Sequence, residues 1–313
     1  MMGEPRDRTV LITGVAGFIG RFVARHFSEQ AWSVVGVDQV PPENAPLQNL
    51  SAYHSLRLPD KRLTSLLQHS FPRVCIHCAG RASVGRSVED PASDFYDGSV
   101  ITFELLNALR LYAPGCRFIL LSSAAVYGNP RSLPVNEDEP TLPISPYGFH
   151  KLQCELLSLE FARVYGLATA SVRVFSAYGA GLRRQVIWDI CEKIAKWKSL
   201  ELQGTGKETR DFVHAADVTR ALALIAETAP MEGEAYNIGS GKQVSITELA
   251  NMIREMLGFK DQPCFDGIVP RGNPLHWQAD ITRIKSLGFS PQIELEEGIQ
   301  SFVNWCREEL SRV

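Results

Sequence analysis

Tyr147 and Lys151 stand four residues apart in Tyr147-Gly-Phe-His-Lys151. The run Pro146–Tyr165 is predicted to be helical, which puts both side chains on one helix face. An ammonium held beside a phenol favours the phenolate and draws the tyrosine towards a neutral pKa. Such a tyrosine can take a proton from a hydroxyl or return one to a ketone. Alone, the pair reads equally as a solvated face; the segment upstream changes that. There the apolar run Phe118-Ile-Leu-Leu121 ends in Ser122-Ser123-Ala-Ala-Val-Tyr127-Gly128. Hydroxyls at the carboxyl end of a parallel strand point into the ligand crevice. Ser123 is then placed to hydrogen-bond the oxygen that Tyr147 deprotonates.

The N-terminal sequence supplies a partner for this chemistry. Thr9-Val-Leu-Ile-Thr-Gly14-Val-Ala-Gly17-Phe18-Ile19-Gly20 runs from a predicted strand through three glycines into a helix. Such glycines let the backbone approach a pyrophosphate, whose charge sits on the helix N-terminus. The next strand, Val34-Val-Gly-Val-Asp38, ends in an acid 18 residues past Gly20. A carboxylate there accepts hydrogen bonds from the adenosine ribose hydroxyls. No Arg or Lys immediately follows, so a 2′-phosphate would meet negative charge. The expected cofactor is NAD rather than NADP.

The elements that must position these residues alternate. Strands are predicted at Thr9–Thr13, Ser33–Val37, Val74–His77, Phe118–Ser122 and Thr169–Val174, and helices at Phe18–Gln30, Leu63–His69, Asp94–Tyr112 and Pro146–Tyr165. That alternation reads as βαβ units around a doubly wound parallel sheet of Rossmann type, an α/β fold. Residues 1–175 are expected to form the NAD-binding domain. Residues 176–313, with helices near 185–198, 216–227 and 247–257, are expected to form mainly a smaller, mixed α/β substrate lobe, the chain crossing between the two more than once.

Composition narrows the function. The chain has 313 residues, 45% hydrophobic and 21% charged, with a net charge of −3. Those values describe a globular protein without a basic footprint, which argues against nucleic acid as a partner. No apolar run approaches the ~20 residues of a membrane helix, and the polar N-terminus carries no secretory signal. Seven cysteines, an odd number, argue against a disulfide framework and for a reducing, cytoplasmic compartment. The CxxC of Cys75 and Cys78 lies on a predicted strand, where residues three apart face opposite sides. It is read as core packing, and no metal site is expected.

Taken together, the chain resembles the extended short-chain dehydrogenase/reductases, specifically the nucleotide-sugar epimerase/dehydratase family, from Val10 to about Gly298. The resemblance implies that Tyr147 is base and acid, that Ser123 assists it, and that Lys151 binds the nicotinamide ribose. It implies that the cofactor is also lined by Leu58, Asp60 (at the adenine amine), Cys78, Ala79, Gly80 and Ser122. Ser83, Val84, Ala124 and Ala125 would line the substrate. In Gly204-Thr-Gly-Lys-Glu-Thr-Arg210-Asp-Phe-Val-His214, Arg210 would meet the substrate diphosphate, with Arg271 of Val269-Pro-Arg-Gly272 as a second arginine. Val172-Arg-Val-Phe-Ser176-Ala-Tyr-Gly179 resembles the turn over the substrate. Three positions depart from the pattern: Ser176 and Gly98 stand where Asn is usual, and Asn273 where an Asp commonly follows the second arginine. The family also implies a homodimer through the two long helices, with Leu105, Leu106, Leu109, Leu152, Leu156 and Leu159 as apolar contacts.

The residues after Ser123 separate the reactions that this family carries out. A dehydratase needs an Asp-Glu pair there and a decarboxylase a Glu, whereas this chain has Ala124-Ala125. The favoured reading is a 4-epimerase of a nucleoside-diphosphate sugar. A reductase of a 4-keto-6-deoxy sugar nucleotide is the alternative. A non-catalytic NAD(H)-binding regulator is a third reading, and the presence of Ser123, Tyr147 and Lys151 together speaks against it.

Overall fold

Seven parallel strands form one sheet, whose central members are short apolar runs covered on both faces. They are β1 (Thr9–Thr13), β2 (Ser33–Asp38), β3 (Ala52–Ser55), β4 (Val74–His77), β5 (Arg117–Ser123), β6 (Thr169–Val174) and a last strand, Glu232–Ile238. A computed structural model describes residues 8–45, 47–269 and 272–311 of the chain. From edge to edge the order is Glu232–Ile238, β6, β5, β4, β1, β2, β3. Every residue of β1, β4 and β6 is buried.

Alternate residues of each strand serve two separate cores. Val10, Ile12, Ile76, Ile119 and Val172 pack in one, on the side of α1 (Phe18–Glu29). Leu11, Cys75, Phe118 and Leu120 pack in the other. That second core is closed by α2 (Arg62–Ser70) and by two helices described next. Cys75 and Cys78 fall on opposite sides, Cys78 packing against the first core. The two thiols are packing groups.

The helix expected at 94–112 is present but starts earlier and carries a π turn: α4 (Pro91–Phe95) runs through Tyr96–Val100 into α5 (Ile101–Tyr112), after a separate short helix, α3 (Val84–Glu89). The Asp90 side chain accepts from Ser93 N–H and Pro91 takes the first helical position, so a new helix starts there. Helix α6 (Pro146–Tyr165) has the expected bounds, set by the Ser145 cap, Pro146 and the left-handed Gly166. Of the six leucines expected at a dimer face, Leu105, Leu106 and Leu109 are wholly buried in the sheet core. Leu152 packs on the sheet, and Leu159 lies against Gly233. Of the six only Leu156 is exposed, and the exposed apolar surface of these helices also includes Phe95, Phe103 and Phe149.

The chain does not part cleanly after residue 175. It leaves the sheet for α7 (Gln185–Glu192), returns through α8 (Ala215–Thr228) and the strand Glu232–Ile238, which pairs with β6, and leaves again for α9 (Ile246–Leu257), α10 (Thr282–Ser286) and α11 (Leu295–Leu310). Helices α7, α9 and α11 enclose a third core that includes Ile187, Ile190, Leu249, Ile253 and Phe302. Phe18, at the start of α1, packs against it. The N-terminus of α1 therefore lies at the seam between the sheet and the second lobe. Among the described residues no helix is long and apolar enough to cross a membrane.

Candidate active site

The three glycines after β1 divide the labour. A Cβ on Gly14 would lie 2.6 Å from Ala79 N, and one on Gly20 would lie 2.2 Å from Gly14 O. Those two positions admit no side chain because the β1 turn, the β4 loop and α1 are in contact. Gly17 is exposed and caps α1 without a side-chain bond. The first intrahelical bond runs from Arg21 N–H to Gly17 O at 3.1 Å, so the amides of Phe18 and Ile19 open the helix end. At the tip of β2, Asp38 Oδ2 accepts from Ala16 N–H at 2.9 Å and Oδ1 from Val40 N–H at 3.2 Å. A phosphate-sized anion bound here would face a helix N-terminus, and a ribose a fixed carboxylate.

The remaining cofactor positions are less uniform. The Leu58 side chain is buried in the core on the α2 side, so only its backbone is free to face a ligand. The Asp60 carboxylate is held by Arg62 through Nη2 at 2.6 Å, Nε at 3.0 Å and the backbone N–H at 2.8 Å, which lowers it to about 2. An adenine amine would have to share it with that guanidinium. Beyond β4, Cys78 N–H donates to Thr13 O and Ala79 N–H to Thr13 Oγ1, while Gly80 is exposed. Burial pushes the Cys78 thiol up to about 12 although Lys151 opposes it, so it is a neutral wall.

Tyr147 and Lys151 meet the strand end that carries Ser123 because α6 starts directly against the end of β5. A Cβ on Gly148 would meet Ala125 O at 2.5 Å, so the turn Ala124–Tyr127 rests on the first turn of α6. Tyr147 N–H donates to Ser87 Oγ of α3 at 3.1 Å. One turn on, Lys151 Nζ donates to Leu121 O at 2.8 Å and lies 5.9 Å from the centre of the Tyr147 ring. Leu121 and Ser123 share a strand face. Ser123 Oγ accepts from Ala125 N–H at 3.2 Å, which leaves its proton to give.

Behind this set lies a closed polar chain. Thr13 Oγ1 is 2.6 Å from His77 Nδ1, His77 Nε2 is 3.2 Å from Thr102 Oγ1, and Thr102 donates to Gly98 O at 2.8 Å. Burial, with the Lys151 charge adding to it, lowers His77 to about 3 and keeps it neutral. Gly98 serves this chain through its carbonyl.

Three expected contacts are corrected. Ser122 does not face the cofactor: it points to the α6 side and donates to Glu155 Oε1 at 2.5 Å, because adjacent strand residues take opposite faces. Ala124 and Ala125 do not line the substrate, since the turn that carries them tucks them into the core at 0% and 7% exposure.

The second lobe brings its cations to the same seam. Arg210 Nη1 donates to Thr209 O at 2.8 Å and Leu275 O at 3.4 Å, and its guanidinium lies 5.5 Å from the Trp277 ring centre. Burial lowers it to about 10, with Glu208 only partly opposing. Among the described residues no carboxylate forms an ion pair with it. Ser176 begins a short strand, Ser176–Tyr178, that pairs with Phe212–His214, and its N–H donates to Asp211 O at 2.9 Å. Arg271 lies outside the described residues. A Cβ on Gly272 would come 3.1 Å from Val84 and 3.2 Å from Ser145, which puts Gly272 itself over α3 and the start of α6. Ser83 caps α3, accepting from Arg86 N–H at 3.3 Å.

The sequence profile of the NAD dependent epimerase/dehydratase family matches residues 10–239. The chain belongs to that family. It is 32% identical to the UDP-glucose 4-epimerase of Mycolicibacterium smegmatis, over 95% of this chain and 98% of that one. The crystal structure of a UDP-glucose 4-epimerase from Thermotoga maritima with UDP-glucose is similar at a TM-score of 0.88 and 30% identity, covering 96% and 99% of the two chains. A Thermus thermophilus UDP-glucose 4-epimerase in complex with NAD gives 0.87 and 27%, with the same coverage.

NAD is the cofactor of this family, and the crevice fits it. The open amides of α1, the bare Gly17, the Asp38 carboxylate and the Lys151 ammonium lie along one line of the sheet's carboxyl edge. Two residues of the site went unnoticed in the sequence. Arg184 Nη1 reaches across the seam to Ala82 O at 2.9 Å, within electrostatic range of Tyr147 and Arg86. Trp277 supports Arg210. Both stand in irregular segments, where no periodicity singles out one side chain.

Proposed function

We propose that this family member inverts C4 of a nucleoside-diphosphate sugar by removing and restoring hydrogen at that carbon. The observation that carries the reading is the arrangement at the end of β5. Lys151 lies beside Tyr147 and bonds the strand end that carries Ser123, and the two residues that follow Ser123 are buried alanines with no acid or base to drive an elimination. When bound, NAD supplies the hydride acceptor and donor. Tyr147, with Lys151 beside it, accepts the proton of the 4-hydroxyl, while Ser123 Oγ–H steadies the same oxygen. The keto sugar turns, and Tyr147 returns the proton after the hydride reaches the other face. Lys151 also holds a ribose hydroxyl, and Asp38 the adenosine ribose. Arg210 and Arg271 receive the diphosphate, which anchors the nucleotide while the sugar rotates.

The test is to incubate freshly purified protein with UDP-glucose, UDP-galactose and their N-acetyl and uronic relatives, without added cofactor, and to follow C4 by NMR. Inversion without added NAD is expected, as is near-stoichiometric NAD released on denaturation. Protein that needs added NADPH and reduces a 4-keto sugar instead would sink the reading. Tyr147→Phe should retain its NAD and lose about 10²–10⁴-fold in turnover.

The same reading includes a homodimer, through the face that exposes Phe95, Phe103 and Leu156 on α4, α5 and α6. A monomeric mass by light scattering would refute it.

A further inference from the structure

Arg210 is held in an unusual way. A half-buried guanidinium is often met by a carboxylate, yet this one is met by two backbone carbonyls, Thr209 O and Leu275 O, and by the face of an indole. That indole is 8% exposed. Its ring meets Phe175 edge-on at 6.0 Å, and its backbone N–H donates to Thr209 O at 3.2 Å. Its Nε1–H leaves the second lobe altogether and donates to Gly128 O at 3.2 Å.

Gly128 ends the turn that follows Ser123. Its backbone is left-handed (φ +61°), and a Cβ there would lie 2.1 Å from Leu142 O. The carbonyl that receives the indole proton is therefore fixed to the same turn that rests on α6. One side chain thus touches both the cation of the second lobe and the far end of the turn that begins at Ser123.

We infer that Trp277 is a positioning residue, whose ring carries the Arg210 guanidinium while its N–H fixes Gly128, so that the diphosphate cation and the catalytic strand end keep one spacing. This inference rests on the reading of Arg210 as the diphosphate ligand and deepens it. Only tryptophan supplies both halves: phenylalanine would keep a platform without the donor, and leucine would keep neither. The ring attracts the guanidinium through its face. The remaining guanidinium N–H groups are thereby left for phosphate oxygens. With sugar and cofactor to be held in contact, a small slip between the two anchors would misplace C4.

The experiment uses the NAD-loaded full chain and its Trp277→Phe and Trp277→Leu variants. UDP alone is titrated by calorimetry, and kcat and KM are measured separately on whichever UDP-sugar the wild type turns over. Trp277→Phe should hold UDP within about threefold of wild type and lose about tenfold in kcat. Trp277→Leu should lose about thirtyfold in UDP affinity as well. In an Arg210→Gln background, Trp277→Leu should cost nothing more in UDP affinity. A merely structural role predicts the opposite: losses that add, and no split between kcat and UDP affinity. Wild-type UDP affinity in Trp277→Leu overturns the inference, as does unchanged kcat in Trp277→Phe, which fills the same space if the leucine variant does not fold. Wild-type protein that binds none of UDP, GDP, CDP or dTDP overturns the nucleotide-sugar reading itself, and this inference with it.

Discussion

Two polar regions flank the catalytic strand, and they are built on opposite rules. On the α6 side the buried Arg173 of β6 is saturated. Its Nη2 donates to Glu155 Oε2 at 2.8 Å and its Nε to both Glu155 oxygens, while Nη1 donates to Tyr127 OH at 2.7 Å and Glu137 O at 3.0 Å. Tyr127 passes its proton on to Asn237 Oδ1, and Ser122 completes Glu155. Burial pulls this guanidinium down, but Glu155 more than restores it, and it stays firmly charged. On the crevice side Arg210 has no ion-paired carboxylate among the described residues, and burial prevails over the distant pull of Glu208. The same residue type is structure in one place and an invitation to an anion in the other. What distinguishes them is whether the charge has already been answered inside the fold.

That contrast can be broken most directly at the arginines themselves. Arg173→Met strands Glu155 in the interior and should cost about 3–5 kcal/mol of stability by chemical denaturation. Arg210→Met should change stability by less than about 1 kcal/mol and weaken UDP at least about tenfold. Equal destabilisation by the two would end the distinction. A second difference is in pH. His77 belongs to a satisfied chain and is held neutral at about 3, below its ordinary 6.5, by burial first and by Lys151 next. The unfolded chain binds that proton more readily, so stability is present above pH 6.5 and is lost as pH falls towards 3. His77→Gln should flatten the fall of the urea midpoint over this window. A residual slope should remain, because His214, lowered to about 4 by its burial, acts in the same direction. The smallest effect separates neighbours. Ser122→Ala loses the bond to Glu155 and should cost about 1–3 kcal/mol with turnover almost unchanged, while Ser123→Ala should leave the melting curve in place and lower turnover at least about tenfold.

Much of this was legible in the residues. β1, β4, β6 and α6 lie where apolar runs and caps put them, because continuous burial and the Ser145-Pro146…Gly166 signals are local. Ser123, Tyr147 and Lys151 were legible for the same reason: each is fixed by its own strand end or helix face. Ser122 was misplaced because its direction depends on one residue of strand phase. The strand Glu232–Ile238 was missed since its first half is polar and bulged, its register with β6 shifting between Glu232 and Ala235. The π turn at Tyr96–Val100 hides from periodicity, as its sequence still reads as helix. Trp277 and Arg184 were illegible because they act across the seam, from segments with no repeat to mark them.

The return of the chain to the sheet has a consequence for how the protein is made. β6 is one neighbour short until Glu232–Ile238 arrives, 58 residues after β6 ends. A fragment ending at residue 175 would carry the whole cofactor half and still present a bare, apolar parallel edge. A nascent chain faces the same exposure on the ribosome until residue 238 has emerged. The two lobes are therefore not separable modules to be shuffled or expressed apart. They are a single garment, its last seam closed from the far side.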